Sequence, residues 1–89
     1  MAIFLFVPAT GHDALNGALT SLQAENRLDF IKLPKEGIFI SFHGTAQELS
    51  NILGVTDGSN GTGVVVGVSS YYGRGPTNIW DWISSRWES

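Results

Sequence analysis

Residues 2–8 (AIFLFVP) are apolar at every position, with no alternation between faces. A strand of that kind has both faces covered, so the segment predicts a central strand, ended by Pro8 and Gly11. The period then changes. Leu15, Ala18, Leu19 and Leu22 recur at three- and four-residue spacing, which predicts a helix from His12 or Asp13 to Glu25, with Asp13 at its positive N-terminus. Gly17 weakens this helix and is read as allowing close packing on a sheet. Two short apolar runs follow, Leu28–Leu33 and Ile38–His43. Pro34-Lys35-Glu36-Gly37 joins them, so they form a hairpin whose turn chemistry comes from Pro and Gly. Asp29 and Lys32 mark the first arm as an edge strand. Thr45-Ala46-Gln47-Glu48 has the form of a capping box, ahead of the buried stripe Ala46, Leu49, Ile52 and Leu53, and Gly54 ends this second helix.

Asp57–Gly63 (DGSNGTG) reads as a flexible loop, and Thr62–Ser70 as a Val-rich strand. Gly67 inside that strand indicates a bulge or the close approach of another backbone. Residues 71–76 (YYGRGP) turn the chain, and Thr77 caps a last helix, Asn78–Trp87. The order is βαββαβ with a C-terminal helix. Two split βαβ units imply a four-stranded antiparallel sheet in spatial order 4-1-3-2, with both main helices on one face: an α+β, ferredoxin-like fold. At 89 residues, the chain is expected to form one such domain over 1–89.

Composition narrows the function. Hydrophobic residues make up 43% and charged residues 15%, which excludes a disordered chain. The absence of Cys excludes disulfides, thiol catalysis and thiolate metal sites. Net charge is −3, and Arg27, Lys32, Lys35, Arg74 and Arg86 are scattered. Duplex DNA binding or a basic membrane face would need them clustered. The apolar start is short and has no Lys or Arg before it, unlike a signal peptide or a membrane span, so the expected location is the cytoplasm. Asn60-Gly61-Thr62 matches a glycosylation sequon but reads as a Gly-rich turn.

Few residues offer chemistry. His12 follows the first strand and His43 ends the third, its antiparallel neighbour, so the two lie at opposite ends of the sheet and share no metal or proton-transfer site. The glycines at 58, 61 and 63 precede a strand, whereas a phosphate loop needs a helix after it. Gly73-Arg74-Gly75 does precede a helix. The Thr77 helix start, the Arg74 guanidinium, Tyr71 or Tyr72 and, at the same end of the sheet, His43 form the candidate site for an anion or phosphate group. The competing role for Arg74 is a surface pair with Asp81 or Glu88. Trp80, Ile83 and Trp87 share one face of the last helix, and Ile79 and Trp82 widen it until apolar residues nearly encircle the helix. One stripe can cover the sheet, and the remainder needs another partner. Phe4, Phe6 and Phe39, on strands apolar on both faces, join Trp80, Trp82 and Trp87 as the expected self-association interface. No residue set points to a catalytic centre, a metal or a cofactor.

Two resemblances follow from these segments. The apolar Ile3–Val7, the helix after Gly11, the hairpin Leu28–Leu33 with Ile38–Phe42, Thr45-Ala46-Gln47-Glu48-Leu49, Gly63–Ser70 with Tyr-Tyr-Gly, and residues 78–83 (NIWDWI) together resemble small ferredoxin-like proteins related to the CRISPR-adaptation dimer nuclease and VapD-type toxins. That resemblance implies the fold and a dimer. The family's nucleases carry a metal-binding Asp at the end of the first strand, where this chain has Val7-Pro8, so nuclease activity is not implied. The second resemblance is to the RNA-recognition motif. Ile3-Phe4-Leu5 is similar to its first-strand motif, with Phe4 at a base-stacking position. Lys35, Phe39, Ile40 and Phe42 match its third-strand motif, and Glu36 and Gly37 depart from it.

The resulting expectation is a non-enzymatic, homodimer-forming or protein-interaction domain without cofactor or membrane partner. The alternative is a nucleic-acid-acting relative, either nuclease-like and metal-dependent or a single-strand binder, which the acidic balance disfavours.

Overall fold

A computed structural model, which describes residues 2–10, 12–34, 37–70, 72–73 and 77–87, places the apolar first segment in an inner strand, β1 (Ala2–Thr10). It is followed by α1 (His12–Ala24), β2 (Leu28–Lys32), β3 (Ile38–Phe42), α2 (Ala46–Leu53), β4 (Thr62–Gly67) and α3 (Thr77–Arg86). β1 pairs antiparallel with both β3 and β4, and β2 pairs antiparallel with β3, giving the order β2-β3-β1-β4. This is the ferredoxin-like α+β arrangement that the element order implies.

Strand parity explains why β1 lacks alternation. Phe4 and Phe6 point to the layer formed by α1 and α2, where they join Leu15, Leu19, Leu49 and Leu53 in the main core. The Phe4 and Phe42 rings meet there with centroids 6.3 Å apart. Ile3 points to the opposite face and packs with Ile79 and Ile83 of α3. Both faces of β1 are therefore apolar because a third layer, α3, covers part of the second face.

Several boundaries differ from expectation for local reasons. β1 continues through Pro8 to Thr10. The Val68 N–H bonds to the Ile3 carbonyl, so odd-numbered β1 residues bond toward β4 and even-numbered ones toward β3. Pro8 lacks an N–H only on the β3 side, and β3 pairing has already ended at Phe6 opposite Ile38. The register with β4 shifts between Pro8 and Thr10, a bulge at which the Thr10 and Thr62 hydroxyls bond at 2.8 Å. β4 stops at Gly67 rather than Ser70, and the helical segment α3 begins at Thr77 itself rather than after it.

Gly17 does not contact the sheet. It is exposed, and a Cβ there would meet nothing within 4 Å. The capping box is formed: the Glu48 N–H donates to the Thr45 hydroxyl at 3.1 Å, and the Thr45 N–H donates to the Glu48 carboxylate at 3.0 Å. Gly54, with φ of 77°, ends α2 in the left-handed conformation. The loop after it is tied by hydrogen bonds. The Asn60 side chain donates to the Leu53 carbonyl at 2.8 Å, and the Asp57 carboxylate accepts the Ser59 N–H at 3.0 Å. Hydrogen bonds from the Ser59 N–H and side chain hold the Asp57 carboxyl below its usual value.

Candidate interaction surface

The second sheet face is where polar and apolar side chains compete for cover. Its strand-to-strand rows follow from the register. Asp29 lies across from Ser41, and Ser41 across from Ile3. In the next row Ile31 faces Phe39, Phe39 faces Leu5 and Leu5 faces Val66. α3 lies over part of this face. Ile79 and Ile83 are buried, and Ile31, Leu33, Phe39, Val68, Trp82 and Trp87 pack around them. Ser41 is buried, and its hydroxyl has no hydrogen-bond partner among the described residues.

Arg86 fastens the end of α3 to the β2 edge. Its Nε donates to Asp29 Oδ2 at 2.9 Å, and Nη2 donates to the same oxygen. Asp29 Oδ1 accepts from Gln23 Nε2 at 2.7 Å and from the Phe30 N–H at 2.9 Å. The guanidinium also stacks over the Trp82 ring, 4.6 Å from its centroid. Beside this network lies an open cleft of about 360 Å³, lined by Gln23, Asn26, Leu28 and Asp29.

Partial burial raises the pKa of Asp29, but the hydrogen bonds from Gln23, Arg86 and Phe30 and the Arg86 charge outweigh it and hold the carboxyl below its usual value. A depressed acid contributes stability that is present above the unfolded-state pKa of about 3.9 and is lost as pH falls through the folded value. Asp29→Asn is therefore expected to flatten the acid limb of a stability-versus-pH curve recorded below about pH 4. Both side chains are about one-third exposed, at 32% and 33%, so the loss at pH 7 should stay near 1 kcal/mol. Urea midpoints from pH 2 to 7 check this, and an unchanged acid limb would contradict it.

The expected interface is thereby redrawn. Phe4 and Phe6 are 5% and 1% exposed inside the main core, so neither can meet a partner, and Phe4 cannot stack on a base. Phe39 does face the other side, but it is half-buried in the cluster around α3. The buried stripe of α3 runs through Ile79 and Ile83, flanked by Trp82 and Trp87; Trp80 is half-buried. Little of the second face is left open. Its exposed apolar corner is Val7, Val64 and Val66, at 44%, 60% and 45% exposure. Val7 and Val64 are direct cross-strand partners, and Val66 follows two residues along β4.

This corner adjoins a bare edge. β4 ends the strand order, and no described strand pairs with its outer side. Residues 62–70 carry no charge, whereas β2 at the opposite edge carries Asp29 and Lys32. Edge strands without charge, proline or cover are the ones that accept another strand. Val64 and Val66 lay in plain view in the sequence. Only the order of the sheet reveals that they lie on its edge strand, on the same face as Val7 of the neighbouring strand.

The candidate anion site is partly outside the described residues, since Tyr71 and Arg74 lie there. Tyr72 is fully exposed and Thr77 is exposed at the start of α3. His43 is exposed just after Phe42, which pairs with both Ala2 and Leu28. Arg27 precedes Leu28 and sits 3.9 Å from Glu25. The register thus brings His43, Arg27 and the end of β4 to one end of the sheet, while the Thr45 hydroxyl is engaged in its cap. Among the described residues, no group of three or more metal-ligating side chains converges, and no helix is long and apolar enough to cross a membrane. No protein-family model, curated protein or solved structure matches this chain.

Proposed function

We propose that this chain is an interaction domain that associates through the outer edge of β4, with a second copy of itself as partner. One observation carries the reading: a strand edge that is uncharged and, among the described residues, unpaired lies beside the exposed corner of Val7, Val64 and Val66. Single exposed valines are ordinary on a protein surface. Three in register on adjacent strands, next to free backbone donors and acceptors, supply both the apolar contact and the hydrogen bonds that strand addition uses. The charges on β2 leave β4 as the edge for this contact.

Sedimentation or light scattering over a micromolar dilution series tests it. The expected result is a two-chain mass at high micromolar concentration that falls on dilution. A single-chain mass throughout would reject the reading.

A further inference from the structure

We propose that two copies join by antiparallel pairing of β4 with β4 of the second copy, about a two-fold axis at Val65, to make one continuous sheet. This register rests on the edge association proposed above.

The backbone supplies the first argument. The Val68 N–H bonds to the Ile3 carbonyl, and the register is unbroken from Phe4 opposite Gly67 to Pro8 opposite Gly63. Val64, Val66 and Val68 therefore bond inward to β1, and the N–H and C=O groups of Gly63, Val65 and Gly67 point outward. A two-fold axis at Val65 sets outward-pointing residues opposite outward-pointing residues, as antiparallel pairing requires.

The sequence supplies the second. Residues 63–67 read GVVVG, the same in both directions. The axis sets Gly63 opposite Gly67 of the partner subunit, Val64 opposite the partner's Val66, and Val65 opposite its own copy. On the α3 side, Val64 and Val66 of the two copies then form one apolar patch. On the α2 side, where that helix packs over β4, only Val65 projects from the paired edge.

Gly67 supplies the third. Gly63 has an internal cause, because a Cβ there would lie 2.5 Å from the Phe6 ring and 2.6 Å from the Val7 carbonyl oxygen. Gly67 has none of this kind. A Cβ there would make an ordinary contact of 3.9 Å with Phe4, its backbone is not in the left-handed region, and no bulge occurs at it. Gly67 is the last residue of β4, and glycine there lowers strand propensity with no internal contact that requires it. In the paired arrangement it lies opposite Gly63 of the partner subunit, so that row carries no side chains to crowd the joined sheet.

Two measurements test the register. Val64→Lys and Val66→Glu, both at exposed positions, should each weaken association at least tenfold. The double variant should recover most of it, because each introduced ammonium then faces an introduced carboxylate across the axis. In the unmodified chain, amide exchange at Gly63, Val65 and Gly67 should slow with concentration, while Val64 and Val66 stay protected at every concentration. A two-chain mass without rescue by the double variant, or without new protection at those three amides, would overturn this register and leave the edge association standing. A single-chain mass for the unmodified protein would overturn both.

Discussion

Phe6→Ala is expected to cost about 3–5 kcal/mol, the range for truncating a fully buried aromatic side chain. Phe6 is 1% exposed on the inner strand of the sheet, in one cluster with Leu19 from α1 and Leu49 and Leu53 from α2. Its ring also fills the space above Gly63, so β4 rests on it. Truncation would open a cavity that neighbours on three elements cannot all move to close. Domains of this size have total stabilities on the order of 5–10 kcal/mol, so the variant should lose about a third or more of its stability and unfold at a much lower urea concentration. Urea denaturation followed by tryptophan fluorescence and by circular dichroism measures the loss. A midpoint within experimental error of the unmodified protein would contradict the role given to Phe6.

Gly63→Ala should cost about 1–3 kcal/mol, the range for overpacking a filled site. The added methyl would meet the Phe6 ring at 2.5 Å and the Val7 carbonyl at 2.6 Å, both closer than real Cβ atoms come. The ring can shift, but the carbonyl is fixed in the β1–β4 ladder, where Val7 pairs with Val64. Phe6→Leu removes the ring contact and keeps the carbonyl one. In a double-mutant cycle, Gly63→Ala should therefore cost less in the Phe6→Leu background than in the unmodified chain. Additive costs would show that the carbonyl alone sets the penalty.

The arrangement of elements was legible because several local signals agreed. Uniform apolarity placed β1 inside the sheet, the Thr45–Glu48 box and Gly54 bracketed α2, and split βαβ chirality ordered the strands. Which way each side chain faces was not legible. β1 is apolar at six consecutive positions, so its sequence contains no phase, and a one-residue slip exchanges the faces of Phe4, Phe6 and Ile3. The same degeneracy affects α3. With Ile79, Trp80, Trp82, Ile83 and Trp87 nearly encircling it, the sequence favoured a stripe through Trp80, while the sheet beneath took Ile79 and Ile83. The Asp29–Arg86 pair joins residues 57 apart and exists only because α3 returns across the second face. The β4 edge was half legible: its lack of charge is in the sequence, but its place at the end of the sheet is a property of the topology.

The unequal edges of the sheet also bear on how far any assembly can extend. Indefinite stacking of sheets into a fibre requires every subunit to offer two sticky ends, so that each addition leaves a fresh one. This fold has one. No described strand pairs with the outer side of β4, whereas the opposite edge carries Asp29, which is engaged by Arg86, and the exposed cation of Lys32. Addition at β4 would use up the growing end and terminate the chain reaction after one step. A neutral residue at Lys32 would remove part of that stop, which makes the far edge the place where a harmless sequence change could become a polymerisation hazard.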